Sequence, residues 1–182
     1  MNHPTRRYDL WEIDSNKLTN RAVDTLNFIN DDLYFPVCDC GEDNPFRHLI
    51  CPDAKSVDVN FDMARFPGYW KTILCFEVLE HLYNPLYFLK QLKRSLLPNG
   101  VIYLSTPYRL PFLYESAHHF HEIPNDRIQW LFDEAGLKVI KTGKARICGN
   151  WYQYFYGIRP IIRYLFFRKY FYSTRLYKLV AK

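Results

Sequence analysis

The chain has 182 residues, of which 48% are hydrophobic and 24% charged. This balance is typical of one soluble globular domain and argues against a disordered or fibrous protein. The net charge of +5 is unevenly placed, because residues 141–182 hold ten of the 24 Lys and Arg and no Asp or Glu. Such asymmetry is typical of a surface that meets phosphates, anionic lipid or an acidic substrate, and charge alone does not choose among them.

The sequence carries no sign of secretion or membrane insertion. Its polar start, MNHPTRRYDLWEID, lacks the apolar region of a secretory signal, and no apolar stretch reaches the length of a bilayer span. We therefore expect a cytoplasmic protein.

The cysteines predict buried, reduced thiols. Cys38 and Cys40 lie two apart in a predicted strand, so they share one face and suit small core positions. The total is odd and lacks the C-x-x-C spacing of structural zinc sites. The five are Cys38, Cys40, Cys51, Cys75 and Cys148.

A helix followed by a buried strand is predicted in the first third of the chain. Apolar residues recur at helical spacing over about Lys17 to Ile29, with Ser15 or Asp14 available as the N-cap. The run LYFPVCDCG then predicts a buried strand ending in a tight turn, and Ser56 to Phe61 predicts another short strand.

Strands and helices alternate through the next part of the chain. KTILCFEVLEH predicts a buried strand, and Asn84-Pro85 follows it as the N-cap and first residue of a helix. VIYLSTP predicts the next strand, followed by a helix that Asn125 caps and Gly136 ends. This order predicts a doubly wound, mostly parallel α/β sheet with ligands at the carboxyl ends of its strands.

The segment DCGEDNPF lies where the first buried strand turns into a helix. Gly41 would let the backbone approach a ligand there, and free amides at a helix start attract an anionic group. One glycine is a weak signal, and taken alone an ordinary strand-to-helix turn is the better explanation.

Two longer segments carry a family resemblance. CFEVLEHLYNPLYFLKQLKRSLLPNGVIYLSTP and HFHEIPNDRIQWLFDEAGLKVIK closely resemble the middle of class I S-adenosylmethionine-dependent methyltransferases, with their EHLxxP segment, L-x-P-x-G turn and later histidine-containing segment. The resemblance covers roughly Phe35 to Ile147, and the terminal YKLVAK is similar to the family's last strand. It implies a Rossmann-like three-layer α/β/α sandwich with an antiparallel last strand, and S-adenosylmethionine as cofactor.

The resemblance also implies cofactor-binding residues after the first core strand. The family has an acid-x-Gly-x-Gly-x-Gly loop there, so Asp39 and Gly41 match, while Asp43 and Pro45 replace the later glycines. In such a variant loop Asn44 offers polar contacts. The alternative is that cofactor binding has weakened.

An acid at the end of the family's second strand accepts hydrogen bonds from the ribose hydroxyls. Asp58, 19 positions after Asp39, is the candidate, and Asp62 is a close rival because this region is short. A solvated strand-end carboxylate is the structural alternative for either residue.

By the same resemblance, Glu77, Glu80 and His81 border the methyl-bearing end of the cofactor. His81 is a candidate general base, since its unperturbed pKa lies near neutrality. The structural alternative, which the residues favour slightly, is that Glu80 and His81 form a hydrogen-bonded pair that fixes the following turn.

A histidine-rich segment follows later in the chain. The resemblance places it on the substrate side, with His119 or His121 touching the acceptor, and a purely structural loop is the alternative. His118, His119, His121 and Glu122 also suggest metal ligation, but zinc sites usually draw three or four ligands from better-spaced motifs. We expect no metal.

The aromatic, basic residues 150–174 are interpreted as an insertion before the last strand, folded over the substrate mouth. With residues 1–32 as an N-terminal helical cap, we expect one methyltransferase-like domain over residues 1–182. Peripheral membrane contact is an alternative for the insertion, although its charges do not gather on one helical face. Nucleic acid is the weaker alternative partner.

The function predicted from the resemblance is methyl transfer from S-adenosylmethionine to a small-molecule or glycan-like acceptor. The basic residues 141–182 predict in addition that the acceptor or its carrier bears negative charge. The sulfonium is already activated, so the protein mainly has to align the reactants and exclude water. The alternative is a non-catalytic methyltransferase-like module that holds a partner or anionic surface through its basic aromatic segment.

Overall fold

The computed structural model describes residues 12–14, 17–29, 33–41, 49–57, 68–107, 119–121, 123–146 and 172–182. Several residues singled out from the sequence lie outside these ranges. They are Asp43, Asn44, Pro45, Asp58, Asp62, His118, Glu122, Cys148 and positions 150–171 of the proposed insertion.

Eight strands and three α-helices make up the described part of the chain. The strands are β1 (Glu12–Asp14), β2 (Lys17–Leu18), β3 (Val37–Cys40), β4 (Lys55–Val57), β5 (Trp70–Phe76), β6 (Leu96–Pro107), β7 (Leu137–Arg146) and β8 (Tyr172–Ala181). The helices are α1 (Asn20–Ile29), α2 (Pro85–Ser95) and α3 (Asn125–Ala135), and Leu79–His81 forms a turn of 3-10 helix.

Six strands form one sheet in the order β4-β3-β5-β6-β8-β7. The first four run parallel, whereas β8 is antiparallel to both β6 and β7. β7 therefore points the same way as the parallel strands. The predicted α/β fold, with a mostly parallel sheet and an antiparallel last strand, is confirmed.

Alternate residues of the central strands face two separate cores, which is why these strands read as continuous apolar runs. On β5, Ile73 and Cys75 face one core, and Leu74 faces the other. The first core contains Leu89 of α2 and Phe132 of α3. The second contains Phe28 of α1, so helices cover both faces of the sheet.

The N-terminal helix is shorter than predicted. It begins at Asn20 rather than near Lys17, because residues 17–18 pair with β1 as a short antiparallel strand. Its cap is Thr19, whose Oγ1 accepts a hydrogen bond from the amide of Ala22 at 3.1 Å. Ser15 and Asp14 were the wrong candidates for this cap, because the strand pair separates them from the helix.

The other predicted helix ends are partly confirmed. Asn84 caps α2 by accepting a hydrogen bond from the amide of Tyr87 at 2.9 Å, and Gly136 ends α3 in the left-handed conformation. Asn125 is the first residue of α3 rather than its cap, a position that Pro124 occupies without a side-chain bond.

The topology brings several chain segments to one edge of the sheet. The carboxyl ends of the parallel strands lie there with that of β7, and the start of β8 lies beside the end of β6, where Pro107 pairs with Thr174. β7 therefore ends, and β8 begins, at this edge. Within the described ranges, no helix is both long and apolar enough to cross a bilayer.

Candidate active site

The end of β3 contains a buried acid. The glycine directly after the strand has a backbone conformation that residues with a side chain rarely adopt. Asp39 is 4% exposed, and Gly41 has a φ of 127°, which favours glycine strongly. The Gly41 amide donates to the Val57 carbonyl at 2.8 Å, and the Ser56 hydroxyl donates to the Gly41 carbonyl at 2.7 Å. These bonds fix the turn to the end of β4.

Among the residues that the structure describes, none fills the space beside Gly41. A Cβ atom placed on it would meet no described atom within 4 Å. The chain therefore keeps glycine here for the backbone angle and not because a neighbouring described side chain crowds it, and no described residue fills the space on this side of Gly41.

Glu77 follows β5 and is held by two partners. Arg21 of α1 donates to its Oε2 at 2.9 Å, and the Ser105 hydroxyl donates to its Oε1 at 2.8 Å. The Glu77 amide donates in turn to Ser105 Oγ at 2.9 Å, while its backbone has a positive φ of 54°. Its carboxylate thus fixes the turn after β5.

Glu80 is fully buried in the 3-10 helix. Burial raises the pKa of its carboxyl group well above the usual value, and the negative charge of Glu77 raises it further. Neither carboxylate oxygen accepts a hydrogen bond from another residue in the described part of the chain, and the Glu80 backbone lowers this pKa only in part. The predicted hydrogen-bonded pair of the Glu80 and His81 side chains is therefore wrong.

The histidine-containing segment lies directly against this turn. The amides of Phe120 and His121 both donate to the Glu80 carbonyl, at 2.8 and 3.2 Å. The rings of His81 and His119 meet edge to face, with centroids 5.0 Å apart. The ligand atoms of Glu80, His81 and His119 all lie within 4.8 Å of one another.

His121 lies to one side of this cluster. Its Nε2 is 3.3 Å from the carbonyl oxygen of Tyr83, and the rings of Tyr83 and Phe120 are in contact at 4.5 Å between centroids. Of the three histidines predicted to act on the acceptor, the structure thus brings His81 and His119 together and engages His121 with the backbone.

Three residues near these strand ends were missed from the sequence. Arg21 lies on a helix face with buried apolar neighbours, and Ser105 lies inside an apolar strand, so their polarity was the available signal. Arg175 was counted only as part of the basic C-terminal segment. It is 3% exposed and donates to the carbonyls of Pro107 and Ile123, joining β8 to the end of β6 and to the start of α3.

An open cleft of about 480 Å³ lies between α3 and the strand pair β7–β8. Arg175 contributes to its lining, but the strand-end carboxylates and the histidines do not. The cleft is therefore distinct from the Glu80, His81 and His119 cluster.

Comparison with known proteins agrees with this architecture. No curated protein sequence matches the chain. Among solved structures it is similar to one from the complex between the Haloferax volcanii Trm112 methyltransferase activator and a methyltransferase, with a TM-score of 0.61, 15% identity and 89% of each chain covered.

Two further solved structures are similar. The [4+2]-cyclase SpnF has a TM-score of 0.56 and 9% identity, with 93% of this chain and 84% of that chain covered. LaPhzM has a TM-score of 0.58 and 11% identity, with 88% of this chain and 54% of that chain covered. Identities this low show a shared fold.

Comparison of the sequence with family profiles gives a stronger result than the structural similarities. A family profile described as a methyltransferase domain matches residues 8–142, about three-quarters of the chain. This match includes the turn after β3, the turn after β5 and the histidine-containing segment. The chain belongs to the methyltransferase domain family.

Proposed function

We propose that the protein binds S-adenosylmethionine beside the ends of β3 and β5 and transfers its methyl group to a small-molecule or glycan-like acceptor. Bound there, the cofactor supplies an electrophilic methyl group on a sulfonium. The observation that carries the proposal is the Gly41 turn, with its positive φ and open side, at the strand end where such sheets bind ligands.

The residues present fit this cofactor. Gly41 offers backbone approach, and Asp39 places a buried carboxylate at the same strand end. Glu77 is fixed by Arg21 and Ser105, so the turn after β5 is rigid enough to position a ligand. Asn44 remains a predicted cofactor contact, and Asp58 a predicted ribose contact with Asp62 as its rival.

The chain itself has to align the acceptor with the methyl group and exclude water from the site. His81 and His119 are partly exposed beside the turn after β5, where an acceptor would meet the methyl group. A base is needed only for an acceptor that enters protonated, and His81 or His119 would then take that proton. The edge-to-face contact of the two rings places both imidazoles side by side.

Residues 150–174 are proposed to cover the acceptor. Support comes from the ends of this part of the chain, since β7 finishes and β8 starts at the edge of the sheet that carries Glu77 and the histidines. The last strand begins at Tyr172, so the last three residues of the predicted insertion, 172–174, belong to the strand.

Calorimetric titration of the purified full chain with S-adenosylhomocysteine tests cofactor binding. We expect saturable binding to one site, lost in Gly41→Val because a side chain strains this backbone and fills the open space. Gly136→Ala is the matched control, since it also places a side chain at positive φ but lies at the opposite edge of the sheet. A folded protein that does not bind would support the non-catalytic module instead.

Methyl transfer needs a second measurement, because the structurally similar SpnF is described as a [4+2]-cyclase. Incubation of the protein with S-adenosylmethionine and a panel of small acids, phenols and saccharides should release S-adenosylhomocysteine only with a true acceptor. Binding of the cofactor without release from any acceptor class would contradict the proposed reaction while leaving the binding site intact.

A further inference from the structure

Two sequence motifs that lie 38 residues apart meet at Glu80. One is the 3-10 helix Leu79–His81, and the other is the segment of residues 119–121. The carbonyl of Glu80 receives hydrogen bonds from the amides of both Phe120 and His121. Backbone bonds therefore set the separation of the two segments, and the side chains of His81 and His119 start from fixed positions.

The buried carboxyl group of Glu80 is the unusual member of this cluster. Its exposed fraction is 0%, and neither of its oxygens accepts a hydrogen bond from another described residue. A carboxylate in such a place is costly unless a cation or a proton compensates its charge. The nearby Arg21 donates a hydrogen bond to Glu77, and its positive charge offsets the effect of burial on the pKa of Glu80 only in part.

We propose that Glu80, His81 and His119 bind a divalent transition-metal ion of the zinc class. Two imidazole nitrogens and one carboxylate oxygen form a ligand set that such ions favour over magnesium or calcium. The three candidate atoms lie within 4.8 Å of one another. Ligands around a tetrahedral zinc are about 3.4 Å apart, so small side-chain rotations close the site.

The neighbouring polar groups do not belong to this ligand set. Glu77 has one oxygen on Arg21 and the other on Ser105, and His121 lies against the Tyr83 carbonyl. Three protein ligands leave a coordination position open, as in catalytic zinc sites. Because His81 and His119 are partly exposed, an oxygen or nitrogen atom of a small molecule could reach that position.

This ligand set differs from the one considered from the sequence. That set took His118, His119, His121 and Glu122 from one segment, whereas the present one takes a single histidine from it and two residues from the turn after β5. The proposal departs from the expectation of no metal and does not depend on the proposed methyl transfer. In zinc-loaded protein His81 and His119 act as ligands, so neither of the coordinating nitrogens takes a proton from the acceptor.

Zinc titration of the chelator-treated full chain by calorimetry tests the site. We expect one zinc ion per chain, with at least tenfold weaker binding in His119→Gln and in His81→Gln. His121→Gln is the matched control, because it changes a histidine of the same segment that lies outside the cluster, and it should bind zinc like the wild type. Glu80→Gln keeps the shape of the side chain and should also weaken binding.

Cobalt supplies an independent readout of the ligands. Its visible absorption should show a low-coordinate site in the wild type and in His121→Gln, and this spectrum should disappear in His119→Gln. Circular dichroism of each variant confirms that the fold is kept. Absence of saturable zinc binding, or equal affinity in His119→Gln, His121→Gln and the wild type, would overturn the proposal.

The same samples separate this proposal from the cofactor site. S-adenosylhomocysteine is titrated into zinc-free and zinc-loaded protein. Zinc binding without S-adenosylhomocysteine binding would contradict the proposed function alone, and the converse would contradict the metal site alone.

Discussion

Arg21 of α1 and Glu77 at the end of β5 form an ion pair with 2.9 Å between Nη1 and Oε2, and their side chains are only 10% and 9% exposed. The pair joins the N-terminal helix to the turn on which the candidate active site is built. Removal of either partner leaves the other charge in a nearly dry environment.

Arg21→Ala should lower the free energy of unfolding by about 3–5 kcal/mol, because it strands the Glu77 carboxylate. Arg21→Lys keeps the charge but loses the guanidinium geometry, so its loss should be smaller. Urea denaturation measures both. Lys182→Ala is the control, since its ion pair with Asp133 is 47% and 46% exposed and should matter little. If Arg21→Ala and Lys182→Ala unfold at the same urea concentration, the buried ion pair does not stabilise the turn.

Ser105 and Thr106 are neighbours on β6, and their hydroxyl groups differ in hydrogen bonding. The Ser105 hydroxyl bonds both the amide and the carboxylate of Glu77, whereas Thr106 Oγ1 is buried without a partner among the described residues. Ser105→Ala should therefore cost about 1–3 kcal/mol of stability. Thr106→Val should be neutral or stabilising, because it removes an unsatisfied hydroxyl at constant shape. Thermal or urea unfolding that ranks the two variants in the opposite order would contradict the assigned bonds.

Much of the fold follows from local signals in the sequence. Asn84-Pro85 and Gly136 mark helix ends because each residue acts through its own backbone angles and nearest amides. The central strands are recognisable because both of their faces are buried and their apolar runs are nearly unbroken. The start of α1 was misplaced, since the strand pairing of residues 17–18 depends on β1 and not on helical spacing.

The candidate site was less predictable, because its contacts are tertiary. Both the EHLxxP segment and the histidine-containing segment could be singled out, yet nothing local predicts that Glu80 and His119 meet. Arg21 was overlooked because helical periodicity assigns a charged residue to solvent. Its partner Glu77 lies 56 positions away, beyond the reach of any pattern of spacing.

The buried thiols of Cys38, Cys40 and Cys75 allow a chemical prediction. Burial raises the pKa of Cys40 well above its usual value, and side-chain hydrogen bonds with Cys38 and Cys75 raise it further. The thiolate is the reactive form, so Cys40 should resist iodoacetamide at pH 8 in the native protein and react after unfolding in urea. Mass spectrometry of the peptides measures the label. Equal labelling rates in both states would show that this thiol is accessible in the native fold.

The last prediction concerns the basic C-terminal segment, residues 141–182. Part of its positive charge stabilises the fold. Arg146 donates two side-chain hydrogen bonds to Asp24, Lys141 donates to the Phe28 carbonyl, and Arg175 holds two carbonyls. Attraction of an anionic acceptor should then depend on cations elsewhere in residues 141–182, for which Arg159 and Arg163 are our candidates.

Replacing Arg159 and Arg163 together by Gln should raise KM for an anionic acceptor and flatten its dependence on salt, because salt screens long-range attraction between charges. The affinity for S-adenosylhomocysteine should stay unchanged. Arg146→Gln is the matched control, and it should reduce stability more than it changes the salt dependence. Equal losses for acceptor and cofactor in the double variant would indicate a structural role for these arginines. Insensitivity of KM to both salt and substitution, with wild-type protein bound to anionic liposomes, would instead assign the segment to a membrane surface.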